Sequence, residues 1–267
     1  MSTVAGDLHQ TPNPLRWLWY SLATMAASLS EMSLFDHLEE LRKRLMCAIA
    51  VGAGVMVALS YNNQLILWLK KPASVAGINL QAIGATEIFS IYFKVATAAG
   101  ICLAAPIILW QVWRFIEPAL YTHEKRYAVP FLLSTIGCFV VGAAFGYGIA
   151  APWLLTLEAS WAKAIQIAFN PTADEYFSLL TATVVAMGAI FEMPPIVAVL
   201  SRIGLIDARF LLRHSKYAVI ISAIAASVIT PGGDLPPTIA LMSVILALYI
   251  ICIVMAWLFG KPRNAEA

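Results

Sequence analysis

The sequence predicts an all-α, polytopic integral membrane protein with six transmembrane helices, and three observations carry that prediction. Of its 267 residues, 61% are hydrophobic and 12% charged, where a soluble domain has about 45–50% and about 25%. The apolar residues gather into six long runs divided by turn signals, with no alternating strand pattern. The basic residues then fall almost entirely on one side of a six-span arrangement. A mean hydropathy of +0.80 leaves little chain for a soluble domain.

Taken in order, residues 1–31 form an N-terminal extension. Pro12 and Pro14 precede a mildly apolar stretch that holds Arg16, Trp17, Trp19 and Tyr20 and is short for a span, which needs about 20 residues. It reads as an interfacial helix, a disordered segment, or sequence ahead of a start at Met32. Residues 32–260 are the membrane domain, and 261–267 a short cytoplasmic tail.

The domain opens on an amphipathic helix at 33–45, in which Phe35, Leu38, Leu41 and Leu45 make one apolar stripe. Ser33 reads as its N-cap, with Asp36 adding negative charge where the helix dipole favours it. Glu39 and Lys43, and Glu40 and Arg44, pair at four-residue spacing. The six spans follow at 45–61, 88–113, 129–156, 176–200, 217–229 and 238–259. The fifth is short: its thirteen residues reach roughly 20 Å across a core of about 30 Å. Its helix could begin earlier, with Asp207 as N-cap.

Arg42, Lys43, Arg44, Arg114, Lys125, Arg126, Arg202, Arg209, Arg213, Lys216, Lys261 and Arg263 share one side, against Lys70, Lys71 and Lys163 on the other. Both termini are therefore expected in the cytoplasm. The connections 62–87 and 157–175 are then external and apolar enough to form short helices or caps. Pro72 breaks the first of them after Lys70-Lys71.

Composition narrows the function. A net charge of +2 without a basic tail argues against nucleic acid. Cys47, Cys102, Cys138 and Cys252 lie in apolar runs and never at metal-ligand spacing. No nucleophile–base pair or phosphate loop is present, and all four histidines lie outside the spans. No catalytic residues, metal site or cofactor are expected.

Two stretches are more specific. Phe35-Asp36-His37-Leu38-Glu39-Glu40-Leu41-Arg42-Lys43-Arg44-Leu45 resembles the amino-terminal signature of the TatC family, the multispanning receptor subunit of the twin-arginine protein translocase. Gln111-Val112-Trp113-Arg114-Phe115-Ile116-Glu117-Pro118-Ala119-Leu120-Tyr121-Thr122-His123-Glu124-Lys125-Arg126 resembles that family's first cytoplasmic loop. The resemblance runs from Ser33 to the sixth span and omits residues 1–31.

It implies that Glu40 and Glu124 contact the twin-arginine motif of signal peptides. The chemistry agrees, since guanidinium pairs bidentately with carboxylate. Read alone, each acid could equally pair with a neighbouring cation such as Arg44 or Arg126. Phe115 matches a position implicated in signal-peptide recognition, with interfacial anchoring beside Trp110 and Trp113 as its alternative. Arg42 would orient the acids or bind anionic lipid heads.

Glu192, in Phe191-Glu192-Met193-Pro194-Pro195, lies within the fourth span. A carboxylate at that depth is expensive and marks either a functional polar site or an internal hydrogen bond across the proline kink. The resemblance places a glutamate here, facing a concave polar surface. After the fifth span, Thr230-Pro231-Gly232-Gly233-Asp234 resembles the family's external turn. It implies partner docking through Asp234 and Thr238, although a plain turn before span six explains Asp234 as well. Gly142 and Gly146 form a small-xxx-small pair that close helix packing explains.

The resulting expectation is a receptor and scaffold of the bacterial inner membrane. It would bind twin-arginine signal peptides and assemble single-span partners of the TatA/TatB type in an oligomeric complex among membrane lipids. Folded proteins would then be exported on the proton-motive force, as the resemblance implies. The alternative is an ion-coupled secondary transporter, with Glu192 as its intramembrane site and Lys94 as the other charge within the spans.

Overall fold

The computed structural model describes residues 46–75, 77–116, 128–230 and 235–260. The chain divides into two compact units, Met1–Ala48 and Ile49–Ala267, and the elements below lie in the second, apart from the first three residues of α1. Among the described residues the chain is helical and holds no β-strand; one isolated bridge joins Gln81 to Thr172. The elements are α1 (Met46–Ser60), α2 (Asn62–Leu69), α3 (Lys71–Val75), α4 (Glu87–Ile116), α5 (Ala128–Phe145), a π turn (Gly146–Ala150), α6 (Ala151–Ala164), α7 (Ala173–Ile190), α8 (Met193–Arg202), α9 (Ala208–Arg213), α10 (Ser215–Ile229) and α11 (Leu235–Phe259).

Four stretches are long and apolar enough to cross a membrane: Glu87–Val112, Phe131–Ala164, Ala173–Arg202 and Pro237–Phe259. Met46–Ser60 and Asn62–Val75, bent by 81°, make a fifth if counted as one broken span. α10 is apolar but has only 15 residues, about 22 Å of helix. The protein is an all-α, multi-pass membrane protein.

The structure corrects four boundaries. The helix expected to end at residue 156 continues to Ala164. It gets there through the π turn, where the Ala151 N–H donates to the Gly146 carbonyl five residues back. Pro152, in the first turn of α6, has no N–H to continue an α ladder, so the wider turn absorbs the mismatch. The fourth span is two helices, parted at Phe191 and Glu192, because Pro194 and Pro195 fit a first helical turn and not a helix interior. Asp207 is an N-cap as expected, its Oδ1 accepting the Phe210 N–H at 2.6 Å. The helix it caps is the short α9, however, and a break at His214 separates it from α10. The first external connection breaks at Lys70, one residue earlier than expected, and Pro72 is the second residue of α3.

The core is centred on α7. Tyr176, Leu180 and Met187 are fully buried beside Val95 of α4, Leu154 and Leu155 of α6, and Leu241 of α11. A smaller cluster joins Val197, Leu211, Cys252 and Ala256. α5 approaches α7 closely because glycines face it. A Cβ on Gly142 would stand 2.5 Å from the Met187 carbonyl oxygen, and one on Gly146 would stand 2.9 Å from the Val184 Cα.

Candidate functional site

Two polar centres lie on α7, one at each end. At its far end, Glu192 sits in the break before α8 and is 5% exposed. Neither of its carboxyl oxygens has a hydrogen-bond partner among the described residues. The local sequence explains why. An N-cap side chain accepts from the amide of the second or third helical residue. In α8 those residues are Pro194 and Pro195, which carry no N–H. Glu192 occupies the N-cap position of α8 with helical dihedrals and no side-chain cap bond.

The carboxyl lies beside Cys138 and faces the Phe139 backbone of α5, close enough to interact with it electrostatically but without a hydrogen bond of normal geometry. Next to it the Phe191 ring packs on Phe145, centroids 5.4 Å apart. Leaving a buried polar group unpaired costs about 1–3 kcal/mol, and more for a charge. Such a group stands ready for a donor that the described chain does not supply.

At the near end the charged groups of α7 and α4 are paired. Thr172 and Glu175 form a reciprocal capping box, with the Glu175 N–H donating to Thr172 Oγ1 at 3.2 Å and the Thr172 N–H donating to Glu175 Oε2 at 3.1 Å. Asp174, in the first turn, receives Lys94 Nζ at 2.5 Å and 2.6 Å on its two carboxylate oxygens, and Ser90 Oγ at 2.9 Å. Lys94 Nζ also donates to Ser178 Oγ at 2.8 Å. The Asp174 N–H donates to Glu87 Oε1 at 2.8 Å, while Glu87 Oε2 receives the Ile83 and Gly84 amides. α4, α7 and the connection between α3 and α4 are thereby tied at one point.

Two phenols hold α2 in place. Tyr147, in the π turn, donates to the Trp68 carbonyl at 2.9 Å and stacks on the Trp68 ring at 4.0 Å. Tyr176 donates to the Leu69 carbonyl at 2.7 Å. These are carbonyls at a helix end, where no partner exists within the helix itself.

Of the residues singled out in the sequence, Glu192, Thr238 and Pro72 are placed. Thr238 is half-buried in the first turn of α11. Phe115 belongs to the last turn of α4, though its side chain is outside the described residues. Glu40, Arg42, Glu124 and Asp234 also lie outside them. Lys94 does not join Glu192; it is bound to Asp174, eighteen residues back along the chain from Glu192, about 27 Å of helix. Sequence reasoning passed over Asp174, Tyr147 and Tyr176. The pattern Thr172-x-x-Glu175 was the available signal, because it marks a helix start and puts Asp174 in its first turn.

The family model for the Sec-independent protein translocase protein TatC matches residues 36–244. The chain belongs to the TatC family. A TatC protein of Koribacter versatilis is 33% identical over 89% of this chain and 89% of its own length. The TatC protein of Aquifex aeolicus is 36% identical over 87% of this chain and 98% of its own. A crystal structure described as the twin arginine translocase receptor TatC superposes with a TM-score of 0.74 at 34% identity, covering 82% of this chain and 97% of that one. This TatC-family chain is thus a component of the Sec-independent, twin-arginine protein translocase. It is a membrane protein of protein transport and not an enzyme.

Proposed function

We propose that this TatC-family chain is the receptor and scaffold of its translocase. It sits in the bacterial inner membrane with both termini in the cytoplasm. Glu40 and Glu124 each bind one arginine of a twin-arginine signal peptide, Arg42 orients the acids, and Phe115 packs on the peptide. Single-span partners of the TatA/TatB type dock near Asp234 and Thr238, beside the short α10. Export of folded cargo is driven by the proton-motive force.

The observation that carries this reading is Glu192. A buried carboxyl without a hydrogen-bond donor among the described residues is costly to maintain in a membrane helix and marks a functional site; in a receptor and scaffold, the inserted signal peptide or its accompanying water supplies the donor. The transporter reading loses its second charge, since the three N–H donors of Lys94 are engaged by Asp174 and Ser178.

The test is crosslinking of a twin-arginine signal peptide to the chain in membranes, alongside Glu40→Ala, Glu124→Ala and the double variant. Each charge-assisted pair is worth about 1.5–3 kcal/mol, so each single variant is expected to weaken labelling by about tenfold or more. A Lys-Lys peptide should label little. Undiminished labelling of the double variant would overturn the assignment of Glu40 and Glu124.

A further inference from the structure

The tie at the near end of α7 is built in a way that structure alone does not require. Lys94 lies within one apolar span and Asp174 in the first turn of another, each about one third exposed. Holding an ion pair there costs desolvation that an apolar contact between the same helices would avoid. What an ion pair supplies, and apolar packing does not, is a fixed register. Lys94 Nζ has three donors, directed at Asp174 Oδ1, Asp174 Oδ2 and Ser178 Oγ. Asp174 adds Ser90 Oγ and, through its backbone, Glu87. Sliding α7 along α4 by one residue, about 1.5 Å, would strain this set, above all the backbone bond from Asp174 to Glu87 and the short Ser90 side chain.

From Asp174 to Ile190 the helix contains no proline, so an axial displacement at one end is transmitted to the other. Along the way α7 meets α5 and the π turn through Gly142, Gly146 and Gly188, against Met187, Val184 and Phe139. These apolar contacts set how close the helices stand more than how high. Beyond Thr181 and Thr183, the next ionisable group on this line is Glu192, whose carboxyl stands beside Cys138 and the Phe139 backbone.

We infer that Lys94 and Asp174 are positioning residues for Glu192: their bonds fix the height of α7 in the membrane and so place the unpartnered carboxyl at the level where export uses it. The export part of this inference rests on the receptor reading above; the placement part does not.

The experiment uses the full chain with its partners in native membranes. The variants are Lys94→Gln, Asp174→Asn, and the exchange Lys94→Asp with Asp174→Lys. Four readouts are taken: chain level, signal-peptide crosslinking, export of a twin-arginine reporter, and register between α5 and α7. Register is read in a parallel set of the same variants that carries Glu192→Cys with the other three cysteines replaced, by a short thiol crosslinker to Cys138, while level, peptide crosslinking and export are read with Glu192 intact. The single variants are expected to keep their level and peptide crosslinking within twofold, and to lose about fivefold in both export and the register crosslink. The exchange is expected to restore the last two together.

Wild-type export in both single variants would overturn the inference. So would an unchanged register crosslink in variants that no longer export, because the loss would then have another cause. If the charge-removing variants fail to accumulate, Lys94→Arg and Asp174→Glu keep the charge with altered reach; a full register crosslink in both would equally overturn the inference. Absence of peptide labelling in the wild-type chain would sink the receptor reading instead, and the register crosslink would still decide the placement.

Discussion

The two ends of α7 carry the same functional group under opposite conditions. At Asp174 a carboxylate one third exposed gathers a lysine and a serine. At Glu192 a carboxyl 5% exposed gathers nothing among the described residues. The first is complete and gains nothing from a ligand. The second is incomplete in the folded chain, and the sequence makes it so by following it with two prolines. Paired polar groups are concentrated at one end of the helix and an unfilled acceptor at the other.

The largest change would remove the platform on which both ends depend. Gly142→Leu drives a side chain into the Met187 carbonyl and the Phe191 ring. The expected cost is about 3 kcal/mol, read as loss of chain from the membrane or a protease-sensitive fold. A level equal to wild type would mean that α5 and α7 do not need this approach.

The sharper experiment replaces each carboxyl and compares signs. Glu192→Leu removes an unpaired buried polar group and should stabilise the purified protein by about 1–2 kcal/mol, raising its melting temperature, while export is lost. Asp174→Asn instead weakens the bond to Lys94, and with both groups partly exposed should destabilise by only about 1 kcal/mol. If both melting temperatures moved in the same direction, the contrast between the two ends would fail.

The smallest effect is local. Tyr176→Phe deletes one bond to the Leu69 carbonyl, worth about 1 kcal/mol. Faster amide exchange confined to α2 and α3 is expected, with α7 unchanged. Equal loosening of α7 would show that the phenol supports the core and not the external helices.

Much of this was legible in the residues, and the exceptions have physical causes. The apolar runs announce the spans because a bilayer demands continuous hydrophobic length. Glu192 announces itself by its cost. Its lack of a partner was also readable, since Met193-Pro194-Pro195 denies it the amides of its own helix. Gly142 and Gly146 were read correctly as packing residues. Yet Gly137 and Gly148 look the same in sequence and would meet nothing within 4 Å, because facing depends on helix phase. Asp174 was missed because a charged residue beside a proline-containing loop resembles any solvated turn. Its role depends on Lys94, eighty residues away, which no local pattern specifies. Of the acids assigned to the twin-arginine motif, only the family signature spoke.

The π turn at Gly146–Ala150 bears on how this chain is aligned with its relatives. A π turn is an α turn holding one surplus residue, and each residue rotates a helix by about 100°. A relative lacking one residue here could keep both flanking helices and present α6 with the same faces. A relative of equal length with an unbroken α-helix would turn the counterparts of Ala151, Leu154 and Leu155 away from the core. A single-residue gap at this point would therefore indicate a preserved surface without the π turn, whereas an equal length preserves it only where the π turn is kept.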